Sequence, residues 1–343
     1  MTMRAAVYYS NNDVRLEERP RPQIDNGELL LKVMACGICG SDVLEWYRIK
    51  SAPRVLGHEA VGIIEEVGDE VEGFRQGDRV FVSHHVPCNT CRYCLRGEHT
   101  ACETLHATNI DPGGFAEYAR VPRINVDRGV FLLPEKMTYD EGVFIEPLGC
   151  VLRGQRRLGI RPGDAVLVLG SGVSGLLHIQ MARSLGATTI LSTDINEYRL
   201  RAAEHFGADA VIDAQDDVSR IVREANDGRL PDHVIVSTAA LAAIMQALKC
   251  VDDAGRILFF APTPPGLELQ FDFNDLWSRQ VTLMMTYAAS PDDLAAAINL
   301  IMDGRIRAKE MITHKLGLAE TGKGFRLVSE AGESLKVVVE PQR

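Results

Sequence analysis

The chain has 343 residues, more than one hydrophobic core usually serves, so two domains are expected. Forty-seven acidic against 37 basic side chains leave a net charge of -10, which argues against a nucleic-acid-binding surface, while 46% hydrophobic and 24% charged residues are those of an ordinary globular protein. No run of about 18 apolar residues is present, so no membrane-spanning helix is expected. The opening MTMRAAVYYS lacks the basic-then-apolar pattern of a secretory signal, and the eight cysteines are therefore expected to be reduced, in a cytoplasmic setting.

From Met3 to about Asp127 the β-prone runs ELLLKVMACG, GIIEEVG, GDRVFVSHHV and FAEYARVP alternate with Gly, Pro and Asp punctuation, which predicts a barrel-like or irregular β domain. After PLGCVLRG the texture changes. DAVLVLGSGVSGLLHIQMARSLGATTILSTDIN reads as strand, glycine turn, helix, strand. HVIVSTA, GRILFFA and VTLMMTY follow as buried strands, alternating with helical stretches such as LAAIMQALKCVD. That alternation predicts a parallel, doubly wound sheet. LAAAINLIMDGRI and KVVVEP then give a helix and a last strand that return to the first domain.

Cys88, Cys91, Cys94 and Cys102 have the spacing C-x2-C-x2-C-x7-C. Four thiolates so close in sequence wrap one tetrahedral Zn(II) with no open position, a structural site. A disulfide pair is disfavoured without a secretory signal, and an iron–sulfur cluster by the long final spacing. A second, open site is expected where Cys36, the adjacent pair His58 and Glu59, and Glu146 of FIEPLG converge: thiolate, imidazole and carboxylate, with the last position left for water. Asp42 is placed to orient the imidazole of His58.

In VLVLGSGVSGLLHIQMA, Gly170, Gly172 and Gly175 form G-x-G-x-x-G between an apolar strand and a helix, with Val173 and Ser174 between the last two glycines. This is the context in which the motif binds a dinucleotide pyrophosphate at a helix N-terminus. Asp194 ends the next strand, 19 residues after Gly175. A carboxylate there accepts from both ribose hydroxyls and repels a 2′-phosphate, favouring NAD over NADP, a preference that Arg199 would soften by turning toward the ribose.

Together CGICGSD, GHEAVG, GDRV, the four-cysteine segment, GGFAEY, EPL and the dinucleotide fingerprint, in this order over nearly the whole chain, resemble the zinc-dependent medium-chain alcohol dehydrogenase family, and within it the polyol (sorbitol-like) and threonine dehydrogenase branch. The resemblance implies an α/β chain: a GroES-like catalytic domain over 1–148 with a structural-zinc lobe at about 84–104, a Rossmann NAD-binding domain over 149–287, and a C-terminal return over 288–343. It implies two zinc ions per chain, one catalytic and one structural, and a homotetramer or homodimer. It also implies that Cys36 is the metal-bound cysteine and Cys39 a packed thiol, that Ser41 holds the reacting oxygen, that His58 binds the metal, that Glu146 falls at the third ligand position, and that Glu59 binds the metal or stands just behind it, with either carboxylate open as the one that touches zinc.

Two departures from that pattern stand out. Leu44 occupies the position at which many relatives carry a proton-passing histidine, so the proton is expected to leave through Ser41 and ordered water, with Glu45 or a ribose hydroxyl assisting. His84 stands where simple alcohol dehydrogenases often place an apolar wall; with Asn109 it suggests a polar pocket, suited to a polyhydroxylated or carboxylated substrate. Arg48 and Lys50 read as solvated surface charges rather than an anion site. The expected activity is reversible, zinc- and NAD-dependent oxidation of a polar secondary alcohol to a ketone. The alternatives are a threonine or amino-alcohol dehydrogenase, a metal-free quinone or enone reductase of the same fold, and a non-catalytic NAD-binding relative.

Overall fold

The computed structural model describes all 343 residues. They form two compact units: one from Met1–Gly149, Ala288–Met302 and Ala308–Arg343, the other from Cys150–Tyr287 and Asp303–Arg307.

The first unit is built on a seven-stranded sheet. Its strands run in the order Ile312–Gly317, Lys336–Glu340, Leu29–Gly37, Glu59–Val67, Arg79–Ser83 and Val130–Leu132, with Tyr118–Val121 also paired to Leu29–Gly37. Leu29–Gly37 (LLLKVMACG) is apolar on both faces because it lies in the middle of this sheet. Behind it the rings of Tyr8, Phe115 and Phe325 pack with centroids 5.6 and 5.8 Å apart. The register does the work that matters for chemistry. Gly37 pairs with Glu59, Glu59 with Ser83, and Val338 with Gly37. One end of the sheet therefore gathers the residues just past Gly37, those at the start of Glu59–Val67, those just past Ser83, and Lys336.

The second unit has six parallel strands in the order Ala210–Asp213, Thr189–Asp194, Ala165–Leu169, His233–Val236, Arg256–Phe259 and Thr282–Met285. All five residues of Ala165–Leu169 are buried, as expected of a central parallel strand. The strand order reverses direction beside it, and the glycine turn follows its carboxyl end, where such sheets bind ligands. VTLMMTY is not a buried strand. Thr282–Met285 closes one edge of the sheet and Met285 is 64% exposed, because no further strand covers it.

Candidate active site

In the cysteine segment the four sulfurs of Cys88, Cys91, Cys94 and Cys102 lie within 4.8 Å of one another, and none is in a disulfide. Cys88 and Cys94 are 3.9 Å apart, Cys91 and Cys94 3.5 Å. Sulfurs bound tetrahedrally to zinc at about 2.3 Å stand about 3.8 Å apart, so the arrangement fits one ion. Backbone amides also point at the sulfurs: Thr90 and Cys91 donate to Cys88 Sγ, and Cys88 donates to Cys102 Sγ. Bonds from Thr90 and Cys91 bring the Cys88 thiol down to about 5, while burial and the neighbouring Cys91 push Cys94 up to about 12 with no cation among the sulfurs.

At the sheet end in the same unit, Cys39, His58 and Glu59 bring a sulfur, a ring nitrogen and a carboxylate oxygen within 4.8 Å of one another. The cysteine in this group is Cys39, not Cys36. Cys36 lies inside the strand that ends at Gly37, and its sulfur is wedged between two glycines: a Cβ on Gly57 would stand 3.0 Å from it and one on Gly114 2.5 Å. Its sulfur donates to the carbonyl of Gly37 at 3.7 Å and receives the backbone amide of Glu59, and burial, with the charges of Glu59 and Asp42, holds its thiol well above the ordinary range. Cys36 is a packing thiol. The 3-10 turn Gly40–Val43 swings Cys39 the other way, across from His58, and Cys39 caps that turn by accepting from Ser41 N at 3.4 Å.

His58 Nδ1 lies 3.3 Å from Asp42 Oδ1. Burial alone would lower the imidazole, but the Asp42 charge and Cys39 outweigh it and hold it well above 6.5 when no cation competes. Burial would likewise raise Asp42, yet His58 and Arg48 keep its carboxyl below the ordinary range. Asp42 thus fixes the ring through Nδ1 and leaves the other nitrogen to face a ligand. Glu59 is fully buried, and neither of its oxygens accepts a well-formed hydrogen bond. Its close neighbour is the ammonium of Lys336, paired to Oε2 and buried over the ring of Phe144. A buried carboxylate with one oxygen short of a donor and the other met only by Lys336, beside a thiol and an imidazole, fits a divalent cation. Glu146 is buried in the first turn of the helix Ile145–Leu158, and its charge reaches Lys336, but it is not one of the three converging donors.

The His84 ring lies 4.8 Å from that of His58 and 3.8 Å from that of His85, and its Nδ1 is buried without a partner. Asn109 turns its Oδ1 onto the amide of Ile110 at 3.0 Å. Ser41 Oγ accepts from Arg48 Nη2 at 3.1 Å, while Arg48 Nε donates to Ser41 O at 2.9 Å and Nη2 reaches Asp42 Oδ1 at 3.4 Å. Arg48 is therefore not a solvated surface charge, although Lys50 is exposed. Glu45 is directed elsewhere: its Oε1 accepts from Asn11 N at 3.1 Å. The sequence reading missed Lys336, took Cys39 for a packed thiol and took Arg48 for a solvated charge. The signals were a cysteine placed directly before Gly-Ser-Asp and a lysine heading the valine run of the last strand.

In the other unit, Gly170 turns at φ 97°, Gly172 caps the helix Val173–Ser184, and a Cβ on Gly175 would collide with the Gly170 carbonyl. Asp194 is buried, and its oxygens accept from Ser171 N at 2.8 Å and Asn196 N at 3.0 Å. A carboxylate offers about four acceptor sites, so capacity for a ribose remains. The Arg199 guanidinium lies over Gly172, 3.8 Å from where its Cβ would be, with a buried and unpartnered Nε.

Comparison with known proteins agrees with this architecture. Residues 25–134 match the Alcohol dehydrogenase GroES-like domain, and residues 174–303 match Zinc-binding dehydrogenase. The sorbitol dehydrogenase of Bacillus subtilis is 30% identical over 99% of this chain and 98% of its own length. Among solved structures, the alcohol dehydrogenase from Thermus sp. ATN1 is 31% identical with a TM-score of 0.88, covering 98% of this chain and 99% of that one. A zinc-binding dehydrogenase from Sinorhizobium meliloti 1021 bound to NADP is 29% identical with a TM-score of 0.88, covering 99% and 100%. The protein is an oxidoreductase acting on CH–OH groups. It belongs to the zinc-dependent medium-chain alcohol dehydrogenase family, in the polyol branch. No helix is long and apolar enough to cross a membrane.

Proposed function

We propose that the protein catalyses the reversible, NAD-dependent oxidation of a polar secondary alcohol to a ketone, using two zinc ions per chain. The observation that carries this reading is the convergence of Cys39, His58 and Glu59, braced by Asp42 and Lys336 and adjoining Ser41. Cys39, His58 and Glu59 hold the catalytic ion, with Glu146 as a further carboxylate at hand; Cys88, Cys91, Cys94 and Cys102 hold the structural one. Zinc at the open site supplies a Lewis acid that lowers the pKa of a substrate hydroxyl.

The chain's own residues do the rest. Ser41 Oγ takes one bond from Arg48 and keeps its own proton and a second lone pair, so it can accept a substrate hydroxyl proton while passing its own to ordered water. Leu44 cannot titrate and Glu45 is committed to Asn11, so neither serves as the relay. His84 presents an unpaired ring nitrogen beside His58, suited to a second polar group on the substrate; leaving it unmatched costs about 1–3 kcal/mol, which disfavours simple alkanols. Gly170, Gly172, Val173, Ser174 and Gly175 cradle the pyrophosphate, Asp194 takes the ribose, and Arg199 lies over the turn. The relatives named for sorbitol and for NADP binding support polyol-like substrates and leave the dinucleotide choice to Asp194 and Arg199. The exposed edge strand Thr282–Met285 supports assembly into a dimer or tetramer.

A panel of secondary alcohols, polyols and primary alkanols, assayed with NAD+ and NADP+ after zinc reconstitution, tests the proposal. Reduction of NAD+ by secondary alcohols is expected. Activity confined to primary alkanols, or none with zinc loaded, would overturn it.

A further inference from the structure

We propose that Arg48 and Arg54 form an anion subsite beside the reacting centre, and that the substrate is a secondary alcohol carrying a carboxylate or phosphate ester within a few bonds of its hydroxyl. The inference rests on the dehydrogenase reading and narrows its substrate class.

Arg48 is held in place from several sides. Its Nε donates to the Ser41 carbonyl at 2.9 Å, its Nη2 contacts Ser41 Oγ at 3.1 Å and Asp42 Oδ1 at 3.4 Å, and its guanidinium lies 4.7 Å from the centre of the Tyr47 ring. The side chain is only 15% exposed. Asp42 is the one carboxylate within ion-pair reach, and it also faces His58. The nearest exposed acid, Glu45, is turned to Asn11. These contacts use Nε and Nη2 and leave Nη1 out, and it belongs to the same planar fork as the nitrogen that touches the Ser41 hydroxyl.

Arg54 lies on the short strand Arg54–Val55 that leads into Gly57 and His58. It is half-buried, forms no ion pair, and touches only Ser51 Oγ at 3.5 Å. Burial and the neighbouring Arg48 cation both lower its pKa, and the charges of both arginines reach His84. Each guanidinium lies within electrostatic reach of the other, Asp42 is the carboxylate that both feel, and like charges so placed repel each other unless an anion joins them. The ring of His84 closes the same neighbourhood. An anion on the free edge of Arg48 would sit within a few ångströms of an oxygen held by Ser41, the reach of a hydroxy acid or a phosphorylated polyol rather than of a long chain.

The test uses zinc-loaded enzyme and two matched pairs: 3-hydroxybutyrate against 3-hydroxybutyramide, and glycerol 3-phosphate against glycerol. The reading is the ratio of kcat/KM for the anion over its neutral partner, for wild type, Arg48→Gln, Arg48→Lys and Arg54→Gln. Calorimetric binding of each compound to the enzyme–NADH complex is measured in parallel. The ratio is expected to favour the anion in at least one pair, to fall about tenfold or more in Arg48→Gln and Arg54→Gln, and to recover in part in Arg48→Lys, with the calorimetric affinities moving alike. The pair that shows the preference tells carboxylate from phosphate. Turnover with no anion preference in either pair, or a ratio that neither glutamine variant moves, overturns the subsite. Anion binding that is lost in the variants, with no turnover of any alcohol, would instead keep the subsite and overturn the dehydrogenase reading.

Discussion

Gly37 and Glu59 face each other across the antiparallel pair at the site, and a Cβ on Gly37 would collide with Glu59 Oε2 and crowd the Lys336 side chain. The glycine leaves the space in which the buried carboxylate and its lysine meet. Gly37→Ala is expected to displace both, at a cost of about 1–3 kcal/mol of stability, and to reduce zinc from two ions per chain to one, with the cysteine lobe still loaded. Thermal unfolding and metal analysis check this; two zincs at undiminished stability would contradict it.

Lys336 is buried, and its ammonium is the counter-charge of Glu59. Lys336→Met is expected to destabilise the metal-free protein by about 3–5 kcal/mol, because it strands a buried carboxylate. The double variant Lys336→Met, Glu59→Gln should recover much of that loss. Urea unfolding of the two variants decides the matter: a double variant no more stable than the single one would mean that the pair carries no such coupling.

How much of this was legible in the sequence depended on whether local spacing or strand register decided the outcome. The four-cysteine segment and the glycine fingerprint each lie within one short stretch, so spacing alone placed them. The choice between Cys36 and Cys39 was not local. Both precede a glycine, and only the pairing of Gly37 with Glu59 determines which sulfur passes the strand end and meets His58. Arg48 read as a surface charge because its burial comes from Tyr47, Ser41 and Asp42 folding around it, a tertiary effect that charge pattern does not record. VTLMMTY has the composition of a buried strand, but its place at the sheet edge depends on strand order.

His178 is buried in the second unit, accepts from Gln155 Nε2 at its Nδ1, and is pushed down to about 3 by burial. The unfolded imidazole titrates at about 6.5, so below that pH the unfolded chain binds a proton that the folded one does not. Stability is therefore expected to fall as pH drops from about 6.5 toward 3, by up to a few kcal/mol from this group. His85, pushed by burial to about 4, adds to the same limb. His178→Asn should flatten the acid limb of the urea midpoint against pH. An acid limb of unchanged slope would contradict the assignment.

Asp194 shares its carboxylate with the amides of Ser171 and Asn196, while Arg199 lies over Gly172. Asp194→Ala is expected to lower the preference for NAD+ over NADP+ by about tenfold or more, through loss of ribose bonds and of charge repulsion, and to weaken both cofactors by loosening the turn. Fluorescence titration with NADH and NADPH reads both effects. An unchanged ratio would place the discrimination elsewhere, with Arg199 the first residue to examine.

The central claim is that Cys39, and not Cys36, completes the catalytic metal site with His58 and Glu59. Zinc per chain, measured by mass spectrometry on wild type, Cys39→Ser and Cys36→Ser, tests it directly. The expected values are two, one and two, with Cys36→Ser losing stability rather than metal; one zinc in Cys36→Ser and two in Cys39→Ser would contradict the account.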